Sequence, residues 1–246
     1  MEIKIIYEDE ELFVIEKPWG VVVNNAESAK GETIQEWAEK KLGITNYESR
    51  ITNDQDIEEE FRSRGGVVHR LDKETSGILL IAKNPQSFLK LKNQFKSREV
   101  EKEYFALSHG EVKLGVGEIS ATVGRLPYNR TKFGVIAGGR DALTNYEVIN
   151  YYKFNDEKLT YLRLRPKTGR THQIRVHLKY INHPIFADPL YAGRKVGRND
   201  RKFLNRLFLH ASKITFQHPT SLEKLTFESP LPTELSNFLT KLDLLG

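Results

Sequence analysis

The 246-residue chain contains no cysteine. Disulfides, thiolate nucleophiles, cysteine-bound zinc and iron–sulfur clusters are excluded with it. Long apolar runs are also missing. The longest stretches resemble Ile78-Leu79-Leu80-Ile81-Ala82, whereas a membrane-spanning helix needs about 20 apolar residues. There is no Gly-x-x-x-x-Gly-Lys-Ser/Thr phosphate loop and no Gly-x-Ser-x-Gly nucleophile elbow. His172 and His177 are five apart, off the four-residue step that stacks two metal ligands on a helix face, so no metal is expected. The opening residues, Met-Glu-Ile-Lys-Ile-Ile-Tyr-Glu-Asp-Glu-Glu, are too acidic for a transit peptide and have no apolar signal core. A cytoplasmic protein is the expectation.

Charge is present in quantity and unevenly placed. The formal net charge is only +5, but residues 1–64 hold 8 basic and 16 acidic side chains, and residues 65–246 hold 30 and 17. A basic body of that kind suits a polyphosphate partner such as RNA or DNA, or is simply a solvated surface.

Strands are predicted over 3–7, 12–15, 21–23, 66–71, 78–82, 104–107, 146–152, 159–164, 207–210 and 214–217 from β-branched and aromatic runs bounded by turn residues. Helices are predicted over 33–42, with Ile34, Trp37 and Leu42 on one side, and from Pro85 behind an Asn84 cap, with Phe88, Leu91 and Phe95 at helical spacing. Another runs from a Thr171 cap along Ile174, Leu178 and Ile181, with His172, Arg175 and Lys179 on its other side. A last helix covers 232–242. Residues 43–63 are acidic and aperiodic and read as a variable, mobile loop; 110–140 read as glycine-rich hairpins and loops. Many strands with a few helices make an α+β protein with a largely antiparallel or mixed sheet.

Two clusters could carry chemistry. In His69-Arg70-Leu71-Asp72-Lys73-Glu74-Thr75-Ser76-Gly77, Arg70 and Asp72 would share one face of an extended strand that ends in a turn. Asp72 is then a carboxylate exposed at a cleft edge, held ionised by a nearby cation, or an ordinary turn aspartate. In Arg165-Pro166-Lys167-Thr168-Gly169-Arg170-Thr171-His172-Gln173-Ile174-Arg175, basic side chains crowd a glycine turn at a helix start. That is a phosphate contact, or a basic helix end with surface pairs.

These stretches, read together, resemble the RluA family of RNA pseudouridine synthases. Val68 to Gly77 is similar to the family's signature. Glu8 to Gly20, Lys102-Glu103-Tyr104-Phe105-Ala106-Leu107, Thr168 to Leu178, His183-Pro184-Ile185 with Asp188-Pro189-Leu190-Tyr191, and Leu209-His210-Ala211 are similar to its other motifs, in family order. Trp19, Asn24-Asn25 and Ala187 depart from the usual residues, outside the implied catalytic set.

The resemblance implies a bent, mixed, largely antiparallel sheet with flanking helices and a central basic cleft. It implies one catalytic domain over 1–246, two subdomains sharing one sheet, without an N-terminal accessory RNA-binding domain. Asp72 would be the catalytic carboxylate, Arg175 its partner cation, and Tyr104 the platform for the target uracil. Arg70 would hold the extruded nucleotide or fill the gap it leaves; His69, Lys167, Arg170, His172 and Leu209 complete the implied substrate-binding set. The substrate would be uridine in rRNA or tRNA, and the protein a monomer with no cofactor. A non-catalytic RNA-binding protein is the competing expectation.

Overall fold

The computed structural model describes residues 1–25, 31–44 and 57–245. The chain divides into two compact units: Met1–Glu101 with Lys213–Ser229, and Lys102–Ser212 with Pro230–Gly246.

The first unit opens with β1 (Lys4–Glu8) and β2 (Leu12–Lys17), an antiparallel hairpin. Helix α1 (Ile34–Leu42) carries the predicted apolar side. Its entry is a capping box, with the Thr33 hydroxyl accepting from Glu36 N and the Glu36 carboxylate accepting from Thr33 N. Helix α2 (Ile57–Ser63) occupies the end of the stretch expected to be a loop; residues 45–56 of that stretch lie outside the described residues. Phe61 makes a helix worthwhile there, since it packs edge-on against Phe88 in the buried cluster. Strand β3 (Ser76–Ala82) pairs antiparallel with β2 and is buried at every position, which its unbroken apolar run requires. Helix α3 (Pro85–Ser97) starts as predicted, with Asn84 Oδ1 accepting from Ser87 N at 2.9 Å.

The second unit holds β4 (Glu101–His109, from Lys102 onward), β5 (Val116–Ser120), β6 (Val123–Leu126), β7 (Asn129–Val135), β8 (Leu143–Phe154), β9 (Glu157–Pro166), α4 (Gln173–Tyr180) and α5 (Arg194–Asp200). β10 (Leu209–Gln217) carries the chain back to the first unit, where its end pairs with β11 (Lys224–Glu228); α6 (Thr233–Leu239) and β12 (Asp243–Leu245) complete the second. Within the second unit β9 lies between β4 and β8, and the outer edge of β8 takes β5 at one end and β12 at the other, all antiparallel. β6 and β7 form a separate hairpin. The class is α+β, as expected.

Local readings fail in identifiable places. Residues 21–23 are not a strand, because the carbonyls of Val22 and Val23 accept from Ile34 N and Gln35 N at the start of α1. The two strands expected at 207–210 and 214–217 are one. The last helix stops at Leu239, and Leu244 and Leu245 pair with Tyr152 and Tyr151 instead. α5, whose residues are Arg-Lys-Val-Gly-Arg-Asn-Asp, has no apolar stripe for sequence periodicity to register.

A charged triad runs from the buried interior of the second unit, at His109 and Asp200, to the exposed Glu157. His109, 6 % exposed, places Nδ1 2.9 Å from Glu157 Oε1 and Nε2 3.0 Å from Asp200 Oδ2. Carboxylates on both ring nitrogens suit an imidazolium that donates twice. Burial opposes its charge, but the hydrogen bonds and charges of Asp200 and Glu157 prevail and raise its pKa. The stabilisation is therefore complete below the unfolded pKa of about 6.5 and disappears as pH rises through the higher folded value. Thermal melting of the wild type should fall with pH across that window, while His109→Gln flattens the dependence. Equal slopes for the two proteins would remove His109 as its source.

Candidate functional site

In the first unit the site is a tied turn. Lys17, fully buried at the end of β2, donates from Nζ to the carbonyls of Pro18 (2.7 Å), Val21 (2.8 Å) and Lys73 (3.3 Å). Gly20, at φ +82°, donates its amide to the same Lys73 carbonyl at 2.8 Å. Thr75 N closes the turn on Asp72 O at 3.0 Å. Two segments more than fifty residues apart thus hold Asp72 half-buried at the start of a turn. Replacing Lys17 with Met strips those carbonyls of a donor, at about 1–3 kcal/mol. Urea unfolding should register that loss, and an unchanged midpoint would mean the carbonyls find other donors.

The approach to Asp72 is not the strand expected over 66–71. Gly66 sits at φ +73°, and a Cβ there would lie 2.2 Å from Ala82 O, so the chain passes β3 closer than any side chain permits. Only Val67 bridges β3, opposite Ile81. Two residues on, the amide of Leu80 donates to His69 Nε2 at 2.9 Å, so a ring nitrogen takes the donor that a strand carbonyl would have taken. The same ring stacks on Phe95 with centroids 4.4 Å apart. His69 thereby anchors the segment. Arg70 is exposed and Leu71 buried, and strand alternation does not relate Arg70 to Asp72.

In the second unit, Tyr104 lies half-buried on β4 opposite Leu164. The turn before α4 is fastened through Gln173. Its Oε1 accepts from Thr168 Oγ1 (2.7 Å) and Arg170 N (2.9 Å), while its Nε2 donates to Leu143 O and Thr144 Oγ1 (both 3.0 Å). The N-cap is His172, not Thr171. It sits at φ 57° with no side-chain cap, because Gln173 already reaches back over the turn. Instead His172 Nδ1 meets Tyr191 OH at 2.8 Å. Lys167 is exposed, and Leu209 is packed in the hydrophobic cluster of this unit.

Arg175 lies off the apolar stripe of α4, yet is only 2 % exposed. Asp188, fully buried, accounts for this: its Oδ2 accepts from Arg175 Nε and its Oδ1 from Arg175 Nη2, both at 2.8 Å. The same Oδ1 accepts from the amides of Leu190 (2.8 Å) and Tyr191 (3.1 Å). The Tyr191 ring lies under the guanidinium, 5.0 Å from centroid to carbon. Asp188 thus grips one edge of the planar fork and fixes the orientation of the whole group. Neither Asp188 nor Tyr191 was assigned a role from sequence. An Asp before Pro, with amides two and three residues on, is legible as a turn, but its pairing with an arginine thirteen residues away is not.

Of the expected set, the structure gathers His69, Arg70 and Asp72 along one segment of the first unit, and Arg170, His172 and Arg175 around the start of α4 in the second. Among the described residues no group of three His, Cys, Asp or Glu side chains is placed to hold a metal ion, and no helix is long and apolar enough to cross a membrane.

Residues 11–180 match the family described as RNA pseudouridylate synthase. The chain is 35 % identical, across 99 % of its length, to the ribosomal large subunit pseudouridine synthase D of Neisseria meningitidis serogroup B, and spans 62 % of that protein. It is 35 % identical across 98 % of its length to an uncharacterized RNA pseudouridine synthase of Bacillus subtilis, spanning 73 % of it. Among solved structures, human RNA pseudouridylate synthase domain containing 1 superposes with a TM-score of 0.74 at 25 % identity, covering 99 % of this chain and 89 % of the other.

Proposed function

Because the chain belongs to the RNA pseudouridylate synthase family, we propose that it isomerises uridine to pseudouridine in RNA with Asp72 as the catalytic carboxylate. The observation that carries this is the extent of the match, which takes in Asp72, Tyr104 and Arg175 together. The names of the bacterial relatives make large-subunit ribosomal RNA the first substrate to test.

The reaction breaks N1–C1′, turns the base and joins C5 to C1′; C5 gives up its proton and N1 finishes protonated. A hydrolase acting on a glycosidic bond typically needs two carboxylates, one for the leaving group. An isomerase keeps its leaving group, so one suffices, and attack on the sugar, attack on the base or removal of a 2′ proton are all within its reach. Extruding the uridine costs a few kcal/mol, and stacking on an aromatic ring such as Tyr104 returns about 1–3 kcal/mol. A guanidinium already clamped by Asp188 needs no reorganisation when it meets an anion, which is the property a catalytic Arg175 requires.

The test is direct. Ribosomal and transfer RNA incubated with the protein should gain pseudouridine at defined positions without a change of mass. RNA that is bound but never converted would leave a binding protein in place of an enzyme.

A further inference from the structure

The second unit holds a cavity of about 320 Å³ between the β6–β7 hairpin, the loop from Gly138 to Arg140 and the turn from Gly169 to Thr171. We propose that it is a site for a backbone phosphodiester of the RNA strand, gripped by Arg125, Arg140 and Arg170. This rests on the RNA substrate proposed above and adds to Arg170, which lies in a family motif, a wall carrying Arg125 and Arg140 that none of the motifs marks.

From Val123 to Arg140 the chain carries four cations and no carboxylate. Glycines draw the wall together. A Cβ on Gly139 would lie 2.9 Å from the Val123 carbonyl carbon, and one on Gly124 would lie 2.6 Å from Ile136 Cδ1. With both positions bare, the loop lies against β6, and Arg140 exchanges backbone hydrogen bonds with Val123. Three arginines therefore line one concavity.

Their side chains are largely uncommitted. Arg125 stacks over the Phe133 ring at 4.9 Å and donates to the Arg130 carbonyl. Arg170 donates only Nε, to Asp141 O at 3.0 Å. Among the described residues Arg140 donates no side-chain hydrogen bond, and none of the three makes an ion pair with a carboxylate, the neighbouring Asp141 included. Among the described residues the Thr171 hydroxyl has no hydrogen-bond partner either. Lys102 adds a further cation beneath the turn, its Nζ 4.0 Å from where a Gly169 Cβ would be.

The site is also preformed. Val123, Phe133 and Val135 pack with Val176 of α4 and with Tyr191, and Phe133 N donates to Tyr191 OH at 3.0 Å, which ties the hairpin both to the helix that carries Arg175 and to the turn that holds Asp188. Guanidinium forks match phosphate oxygens geometrically as well as electrically, and the volume falls at the lower end of the roughly 300–1,000 Å³ typical of ligand pockets. That suits a nucleotide phosphate better than a lone small ion.

The test is binding of a fluorescein-labelled single-stranded oligouridylate across a salt series. Arg125→Ala and Arg140→Ala should each weaken binding about tenfold and lower the slope of log affinity against log salt by about 0.7. Lys241→Ala, on an exposed cation elsewhere in the unit, should change neither. Arg140 supports no other side chain, so its variant should fold normally. Wild-type affinity and slope in both arginine variants would overturn the proposal. So would a pocket whose variants lose uridine monophosphate or pyrophosphate but not RNA, since the occupant would then be a free nucleotide or a free phosphate anion. Asp72→Asn separates the two claims: it should bind with the wild-type slope, so a failure of the catalytic role and a failure of the pocket are read in different variants.

Discussion

Asp72→Asn is expected to abolish pseudouridine formation, by at least about a thousandfold, while leaving the protein folded. Asn has the same shape, so only the charge and its nucleophilic or basic lone pairs are removed. The backbone of the turn is untouched, because the hydrogen bond there is to the Asp72 carbonyl, and the Lys17 and Gly20 donors address Lys73. The melting temperature should shift by no more than a few degrees, which for a chain of this size corresponds to about 1 kcal/mol. Quantifying pseudouridine after prolonged incubation checks it. Activity within tenfold of wild type would end the assignment of Asp72, whatever the fate of the family membership.

The second large effect concerns Asp188. Asp188→Ala leaves the Arg175 guanidinium buried without its carboxylate and orphans the amides of Leu190 and Tyr191. Breaking a buried pair from one side costs about 3–5 kcal/mol, so the thermal midpoint should fall by about 10 °C. Asp188→Asn keeps an acceptor for the two amides but turns a donor toward Arg175 Nε, and should fall between. Arg175→Met combined with Asp188→Asn removes the buried charge and keeps the turn; it should recover much of the stability lost in Asp188→Ala and none of the activity. That split is the decisive result, because a purely architectural Arg175 would let activity return with the fold. The kinetic signature of Asp188→Asn itself should be a fall in kcat with KM little changed, as expected of a residue that positions another.

Much of the fold is legible in short windows. The Thr33 capping box, the Asn84–Pro85 helix start, the apolar run Ile78–Ala82 of β3 and the stripe Ile174–Leu178 all act within a few residues of chain, where side-chain spacing and backbone preference suffice. The candidate site is legible in kind but not in geometry. The residues around Asp72 look like a strand because Val67 and Val68 favour one. They leave β3 because His69 takes the Leu80 amide and because Gly66 allows an approach that a sequence window cannot register.

The amino-acid sequence by itself determined the family, the element types and the identities of the side chains available for chemistry, since these reside in local pattern and composition. Tertiary structure alone decided which of those side chains are held. It closes the Asp72 turn with a lysine 56 residues before Lys73, buries Arg175 against Asp188, and gathers arginines from two loops and a strand around one cavity. Each is a contact between separate elements, thirteen to fifty-six residues apart along the chain. Its energy depends on burial and on simultaneous satisfaction of several donors, and neither exists until the chain has folded around them.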